Sequence, residues 1–269
     1  MTLPIRPTSV ERWSRCPQLW YYTEVEGWQA PASAWSPERA MGTGMHAGLA
    51  AHFKGTPEPA TALTEALARE WPDDAPQEYS RDGHEAQALK VLDRLLKWVG
   101  KEMLGVDVLM VEHSLGLDGH TTPDLVTREN GVLTVTDWKY SHYVPADRIH
   151  YRLEGIERTH QFLHYAWAVG EYMGEPVRQF RKVVIVGGPV IKVVGATFDP
   201  QPYLANWLAQ SQVKWAEMRD MERMPELVYR REQGCMMFGD KWPCQMFEAC
   251  WTCHGDKEMM KNFYTREEK

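Results

Sequence analysis

The sequence predicts an α/β protein in which helices cover the faces of a mixed β-sheet. Three observations carry that prediction. The apolar residues change period from helical to strand-like and back, an Asn-Gly dipeptide separates two strand-like runs, and long amphipathic helical patterns stand on either side of them. Helix, strands, helix, strands, helix is an order that layers naturally around one core.

The elements follow in chain order. Thr8 to Glu11 has the Thr-x-x-Glu spacing of a capping box and opens a short helix that ends near Cys16-Pro17, because proline restricts the residue before it. Residues 40 to 53 read as a glycine-rich turn entering a helix that carries His46, and the Pro/Asp-rich stretch 71 to 80 reads as a loop. From 85 to 104 the apolar residues Ala88, Val91, Leu92, Leu95, Leu96 and Val99 recur at helical spacing, which makes a face for a core. Residues 106 to 117, 121 to 127 and 132 to 138 then read as strands, with Asn130-Gly131 as the hairpin turn between the last two. A helical pattern over 152 to 173, strands near 182 to 187 and 190 to 198, and an amphipathic helix over 201 to 222 complete the set.

Composition narrows the class. With 43% hydrophobic and 25% charged residues in 269, the chain is neither disordered nor collagen-like. At roughly 150 residues per domain the length fits between one and two domains, and the expectation is a single domain over 1–269. No stretch approaches the roughly 20 apolar residues of a membrane helix, and the first residues lack the basic and apolar regions of a signal peptide, so the expected location is the cytoplasm. The formal net charge of −7 repels a polyanion as a whole, so any nucleic-acid contact must be a local patch. Five cysteines, four of them between 235 and 253, without an export signal point to metal chemistry before disulfides.

The chemistry concentrates at the hairpin. A two-residue turn at Asn130-Gly131 sets Asp124 across from Asp137, where opposed Cβ atoms lie about 4.5 to 5.5 Å apart. Two carboxylates at that distance repel unless a cation lies between them or one is protonated. Lys139 shares the face of Asp137 by the strand period. Taken alone, such a trio more often describes a solvated hairpin face, and His46 alone equally describes a core histidine. The trio belongs to a longer series, however: Gly42-Thr43-x-x-His46, Pro123-Asp124, Asp137-Trp138-Lys139, and Gln161-x-x-x-Tyr165, whose last two residues share a helix face.

In these residues the chain resembles the PD-(D/E)XK nuclease superfamily, in particular its RecB-like exonuclease branch, from about Thr8 to Cys253. The resemblance implies a restriction-endonuclease-like α/β fold and a DNase dependent on Mg²⁺ or Mn²⁺. It makes His46, Asp124 and Asp137 metal ligands, with the backbone carbonyl of Trp138 as a further one. Lys139 becomes the catalytic lysine, and Gln161 and Tyr165 position substrate. Hard oxygen ligands suit those cations. Tyr140 stands where the branch commonly has Thr, and Pro123 where a Gly-x-x-Asp pattern is frequent, which bears on substrate preference. His160 and His164 form another i, i+4 pair without the Glu of a zincin, and are expected at the surface or facing DNA. Arg12, Arg15, Arg181, Lys182 and Arg230 are among the candidate DNA contacts.

The cysteines add a second resemblance. Cys16 together with a C-terminal group is similar to the iron-sulfur staple of CRISPR-associated and AddB-type nuclease domains. It implies a [4Fe-4S] cluster on Cys16, Cys235, Cys244 and Cys250, with Cys253 as substitute and zinc as the alternative metal, tying the 235–253 segment to the N-terminal helix. The spacing departs from the Cys-x2-Cys-x5-Cys order of the CRISPR-associated members. The expected function is a DNA exonuclease acting on single strands or free ends in recombination, repair or phage DNA processing, with a recombination or phage protein as a further partner. A catalytically idle DNA-binding module and an endonuclease of the same fold are the alternatives.

Overall fold

The computed structural model describes residues 7–29, 36–56, 58–73, 75–76, 79–115, 121–142, 149, 153, 159–188, 190–230, 236–237 and 242–266. In chain order the elements are helices α1 (Pro7–Arg15) and α2 (Pro17–Trp20), a π-helical turn (Tyr21–Val25), strand β1 (Trp28–Gln29), helices α3 (Pro37–Phe53), α4 (Pro59–Glu70) and α5 (Arg81–Glu102), and strands β2 (Asp107–Val111), β3 (Leu125–Glu129) and β4 (Val132–Ser141). Helix α6 (His160–Met173), strands β5 (Gln179–Val186) and β6 (Lys192–Phe198) and helix α7 (Gln201–Arg223) follow. The C-terminal part holds β7 (Met236–Met237), β8 (Trp242–Pro243), α8 (Phe247–Trp251), α9 (Lys257–Met260) and β9 (Thr265–Arg266).

The chain divides into two compact units, one of residues 35–205 and one of 1–34 with 206–269. The first contains a five-stranded mixed sheet in the order β2-β3-β4-β5-β6, antiparallel except for the parallel pair β4–β5. A parallel pair needs a crossover, and the connection between β4 and β5 contains α6. This is the restriction-endonuclease-like α/β architecture the sequence predicts. Two cores use the residues of the sheet. Trp138, Leu125, Val183 and Ile185 pack with Met41, Met45 and Leu49 of α3 and with Val91, Leu92 and Leu95 of α5. Val126, Leu133, Val135 and Phe180 pack with Phe162, Tyr165 and Val169 of α6.

Some elements differ from their predicted form. Helix α1 begins at Pro7, so Thr8 lies inside the first turn and is not the cap. The glycine-rich stretch is not a turn: Gly42, Gly44 and Gly48 lie inside α3, which starts at Pro37 behind the Ser36 hydroxyl that accepts from the Arg39 N–H at 3.2 Å. A Cβ on Gly44 would come within 3.2 Å of the Leu63 carbonyl, and one on Gly48 within 3.1 Å of Leu92 and of the Pro59 carbonyl. Gly44 and Gly48 therefore serve close approach of α3 to α4 and α5, at a helix-propensity cost of about 1 kcal/mol each. Helix α4 itself, with Leu63, Ala66 and Leu67 buried, has no counterpart in the predicted set.

The second unit pairs β1 with β9 and buries Val10, Trp13 and Trp20 against Met218 and Met221 of α7. Among the described residues no helix is long and apolar enough to cross a membrane.

Candidate active site

The β3–β4 hairpin forms the turn expected of Asn130-Gly131. Both residues have positive φ, 50° and 82°, as a type I′ turn requires, and the ladder runs from Glu129 opposite Val132 to Leu125 opposite Thr136. Continued by one residue, that register places Asp124 level with Asp137. The two carboxylates do not face each other as equals. Asp124 Oδ2 accepts the backbone N–H of Trp138 at 2.7 Å, which turns it onto the β4 backbone. Asp137 is fully buried in β4, beside Lys182 of β5. Its Oδ1 lies 2.9 Å from Lys139 Nζ, and Lys139 is half-exposed.

Helix α3 brings a third group. His46 Nδ1 lies 3.5 Å from Asp124 Oδ1 and 3.9 Å from Glu112 Oε1. Glu112 leaves β2 with a φ of 44°, a left-handed conformation that is uncommon for a non-glycine residue, and its N–H donates to the Asp124 carbonyl at 3.0 Å. It was not a predicted site residue. An acid at the end of a strand carries no signal of its own, and only the tertiary fold brings it to His46.

Charge and burial set the protonation of the group. Burial pushes the Asp137 carboxyl up, and although Lys139 opposes this while Asp124 adds to it, the net result is a value of about 6. For His46, burial acts downward, but the hydrogen bond and charge of Asp124 outweigh it and the imidazole is raised. Burial also raises Glu112, against the pull of His46.

The donor set fits a hard divalent cation in kind. Apart from the Lys139 ion pair, neither Asp137 oxygen meets a hydrogen-bond donor among the described residues, which is an expensive state for a buried carboxylate and one that a cation relieves. In placement the fit is incomplete. Among the described residues no three His, Cys, Asp or Glu side chains converge closely enough to hold a metal.

The remaining predicted residues divide. Gln161 and Tyr165 share a face of α6, and the Gln161 amide donates to the Tyr165 hydroxyl at 3.1 Å. His164 is not at the surface: it is buried on α6, its Nε2 is 2.9 Å from the Thr121 hydroxyl, and burial lowers its pKa to about 4. Arg181 is not a DNA contact either, being buried in a bidentate pair with Glu129. Arg12 is paired with Glu24, and Arg230 lies 4.1 Å over the Trp251 ring.

Cys16, Cys244 and Cys253 are buried in one apolar cluster with Leu19, Tyr22, Trp28, Met246 and Tyr264, and Cys250 packs against it. Cys235 lies outside the described residues. Cys253 is among the most buried of the four, and burial, with Glu248 and Asp256 nearby, raises its thiol.

With this geometry established, comparison with known proteins places the chain. No curated protein matches the sequence. Among solved structures, a protein provisionally described as an exonuclease from Eubacterium rectale superposes with a TM-score of 0.51 at 13% identity, over 94% of this chain and 87% of that one. That likeness is one of fold. The crystal structure of SSO0001 aligns at a TM-score of 0.28 and 14% identity, over 65% of this chain and 74% of that one, too distant to carry an argument. A family profile described as the PD-(D/E)XK nuclease superfamily matches residues 5–254, nearly the whole chain, so the protein belongs to the PD-(D/E)XK nuclease superfamily.

Proposed function

We propose that the protein is a divalent-metal-dependent DNA exonuclease of the RecB-like branch, acting on DNA ends in recombination, repair or phage DNA processing. The observation that carries the reading is Asp137: a fully buried acid, 2.9 Å from Lys139, with Asp124 and His46 beside it. His46, Asp124, Asp137 and the Trp138 carbonyl would hold Mg²⁺ or Mn²⁺, which when bound supplies positive charge at the scissile phosphate and lowers the pKa of water. Lys139 keeps an ammonium beside Asp137, where it offsets charge that develops on the phosphate and orients the attacking water. Asp124 keeps the Trp138 backbone in place through its 2.7 Å hydrogen bond. Gln161 and Tyr165, already bonded to each other, position the strand near the scissile bond.

Preference for ends over internal bonds is supported by the resemblance to the RecB-like branch and by the description of the Eubacterium rectale protein. The cysteines belong to the same reading as a staple: Cys16, Cys244 and Cys250 with Cys235 or Cys253 would hold a [4Fe-4S] cluster or zinc, supported by the gathering of Cys16, Cys244 and Cys253 in one buried cluster.

The test is degradation of end-labelled single- and double-stranded DNA with Mn²⁺, Mg²⁺ or EDTA, wild type against Asp137→Ala, alongside closed circular DNA. Metal-dependent loss of label that vanishes in the variant, with circles spared, supports the exonuclease. Cleaved circles would make it an endonuclease. No cleavage by folded, metal-supplied protein would leave a DNA-binding module.

A further inference from the structure

Helix α6 crosses the face of the sheet on which the acids lie. Val126 and Val135 pack with Phe162, Tyr165 and Val169 of α6. Asp124 stands two residues before Val126 and Asp137 two residues beyond Val135, so the strand period puts both acids, and Lys139 with them, on the α6 side. Gln161 and Tyr165 share one stripe of α6, and seven residues on from Tyr165 the same stripe reaches Tyr172, about 10 Å farther along the helix axis. Tyr165 is buried in the core, whereas Tyr172 is 56% exposed.

Tyr172 meets a ring from another element. Its centroid is 5.7 Å from that of His113 at an interplanar angle of 59°, and its hydroxyl lies 3.5 Å from His113 Nε2. His113 is itself exposed and follows Glu112, whose carboxylate is 3.9 Å from the His46 imidazole. Met110 and Leu115, on either side of His113 in the chain, belong to the core that α6 covers, so its backbone is anchored although its ring is at the surface. Two rings are thus held together at the rim of the acid site, one from α6 and one from the chain leaving β2.

We propose that Tyr172, braced by His113, is a stacking platform for a base of the substrate strand where that strand runs along α6 beside the acids. A ring face accepts any base, which suits an enzyme that proceeds along a strand of any sequence. Stacking also asks for no cation. Glu112 and Glu171, the sequence neighbours of the two rings, disfavour a phosphate there, and the phosphate charge is met at Lys139 instead. The inference rests on DNA being the substrate and names what holds the strand at that same site; binding tests it separately from cleavage.

The experiment is fluorescence anisotropy of two labelled oligomers of equal length and charge, an oligothymidylate and its abasic counterpart, titrated with the full chain in EDTA over a series of salt concentrations. Wild type should bind the oligothymidylate at least about fivefold more tightly than the abasic oligomer, and Tyr172→Ala should bring the two within about twofold. The slope of log K against log salt should not change in the variant, because no phosphate contact is lost. Tyr172→Phe keeps the ring and should keep the preference, and Tyr203→Ala, at an exposed tyrosine of α7, should leave it intact. A purely structural contact between α6 and His113 would lower the melting temperature of Tyr172→Ala and leave the base preference as it was. That result, a flattened salt slope, or a wild type that does not bind or has no base preference overturns the platform, whether or not DNA is cleaved. A wild type that binds with the preference but cleaves nothing overturns the nuclease reading and leaves the platform standing.

Discussion

The hairpin acids and the cysteine cluster are both groups of side chains that chemistry marks out along the sequence, and they are assembled by different means. Asp124 and Asp137 are separated by a single tight turn, and one register, Leu125 opposite Thr136, fixes their level. Cys16 reaches Cys244 and Cys253 only through folding of the two ends of the chain together, with an apolar cluster as the agent. The first arrangement is dictated by local backbone geometry and the second by burial alone. The difference teaches that positions joined by one turn are held to within a bond length by hydrogen bonds, as Asp124 is by the Trp138 N–H, whereas thiols gathered by burial have a neighbourhood and no enforced geometry.

Four substitutions probe that contrast, in order of expected effect. Asp137→Ala should reduce metal-dependent cleavage by on the order of 10³-fold, about 4 kcal/mol, measured as single-turnover degradation of end-labelled DNA. Retained activity would detach the hairpin from the chemistry altogether.

Next in size is the stability cost of the same carboxyl. An acid raised from 3.8 to about 6 by burial takes up its penalty as the unfolded chain ionises and the folded one does not. The metal-free protein therefore has that stability in full below about pH 4 and loses about 3 kcal/mol as the pH rises through about 6. Asp137→Asn should remove the loss. Denaturant unfolding in EDTA should show the variant more stable than wild type at pH 7 and level with it near pH 4. Mg²⁺ should narrow the gap at pH 7 by stabilising wild type alone.

Cys16→Ala addresses the other region. Removing a buried sulfur from an apolar cluster costs about 1 to 2 kcal/mol by packing alone. If the cluster holds metal, bound iron or zinc should fall together with the melting temperature; a small drop in melting with unchanged metal content would make Cys16 a core residue only. Smallest is Gly131→Ala, where a left-handed φ of 82° makes a side chain cost about 1 to 2 kcal/mol. Activity should survive at temperatures where the variant is folded, because the ladder from Glu129 to Leu125 still specifies the level of Asp124. Loss of activity in folded Gly131→Ala protein would mean that the turn itself holds the acids in register.

The same division explains what could be read in advance. The hairpin, the long helices α5 and α7, and the grouping of His46, Asp124, Asp137 and Lys139 were legible because each depends on a short-range period or on spacing within a known motif series. Glu112 was not, because nothing near it in sequence refers to His46. The start of α3 differs for the opposite reason: local propensity assigns Gly42 and Gly44 to a turn, whereas both lie inside the helix, where Gly44 serves the close approach to α4. His164 reads as a surface residue in isolation, and its burial follows from α6 packing on the sheet.

Those helical glycines have a consequence for anyone who maps this protein by random mutagenesis. His46 rides on α3 between Gly44 and Gly48, and each of these two lies within 3.2 Å of the neighbouring helix layer at the point where a methyl would be added. Alanine at either position would push the helix outward and take the imidazole with it. A screen scored on nuclease activity would then mark 44 and 48 as if they belonged to the reaction, although neither has a side chain with which to touch DNA.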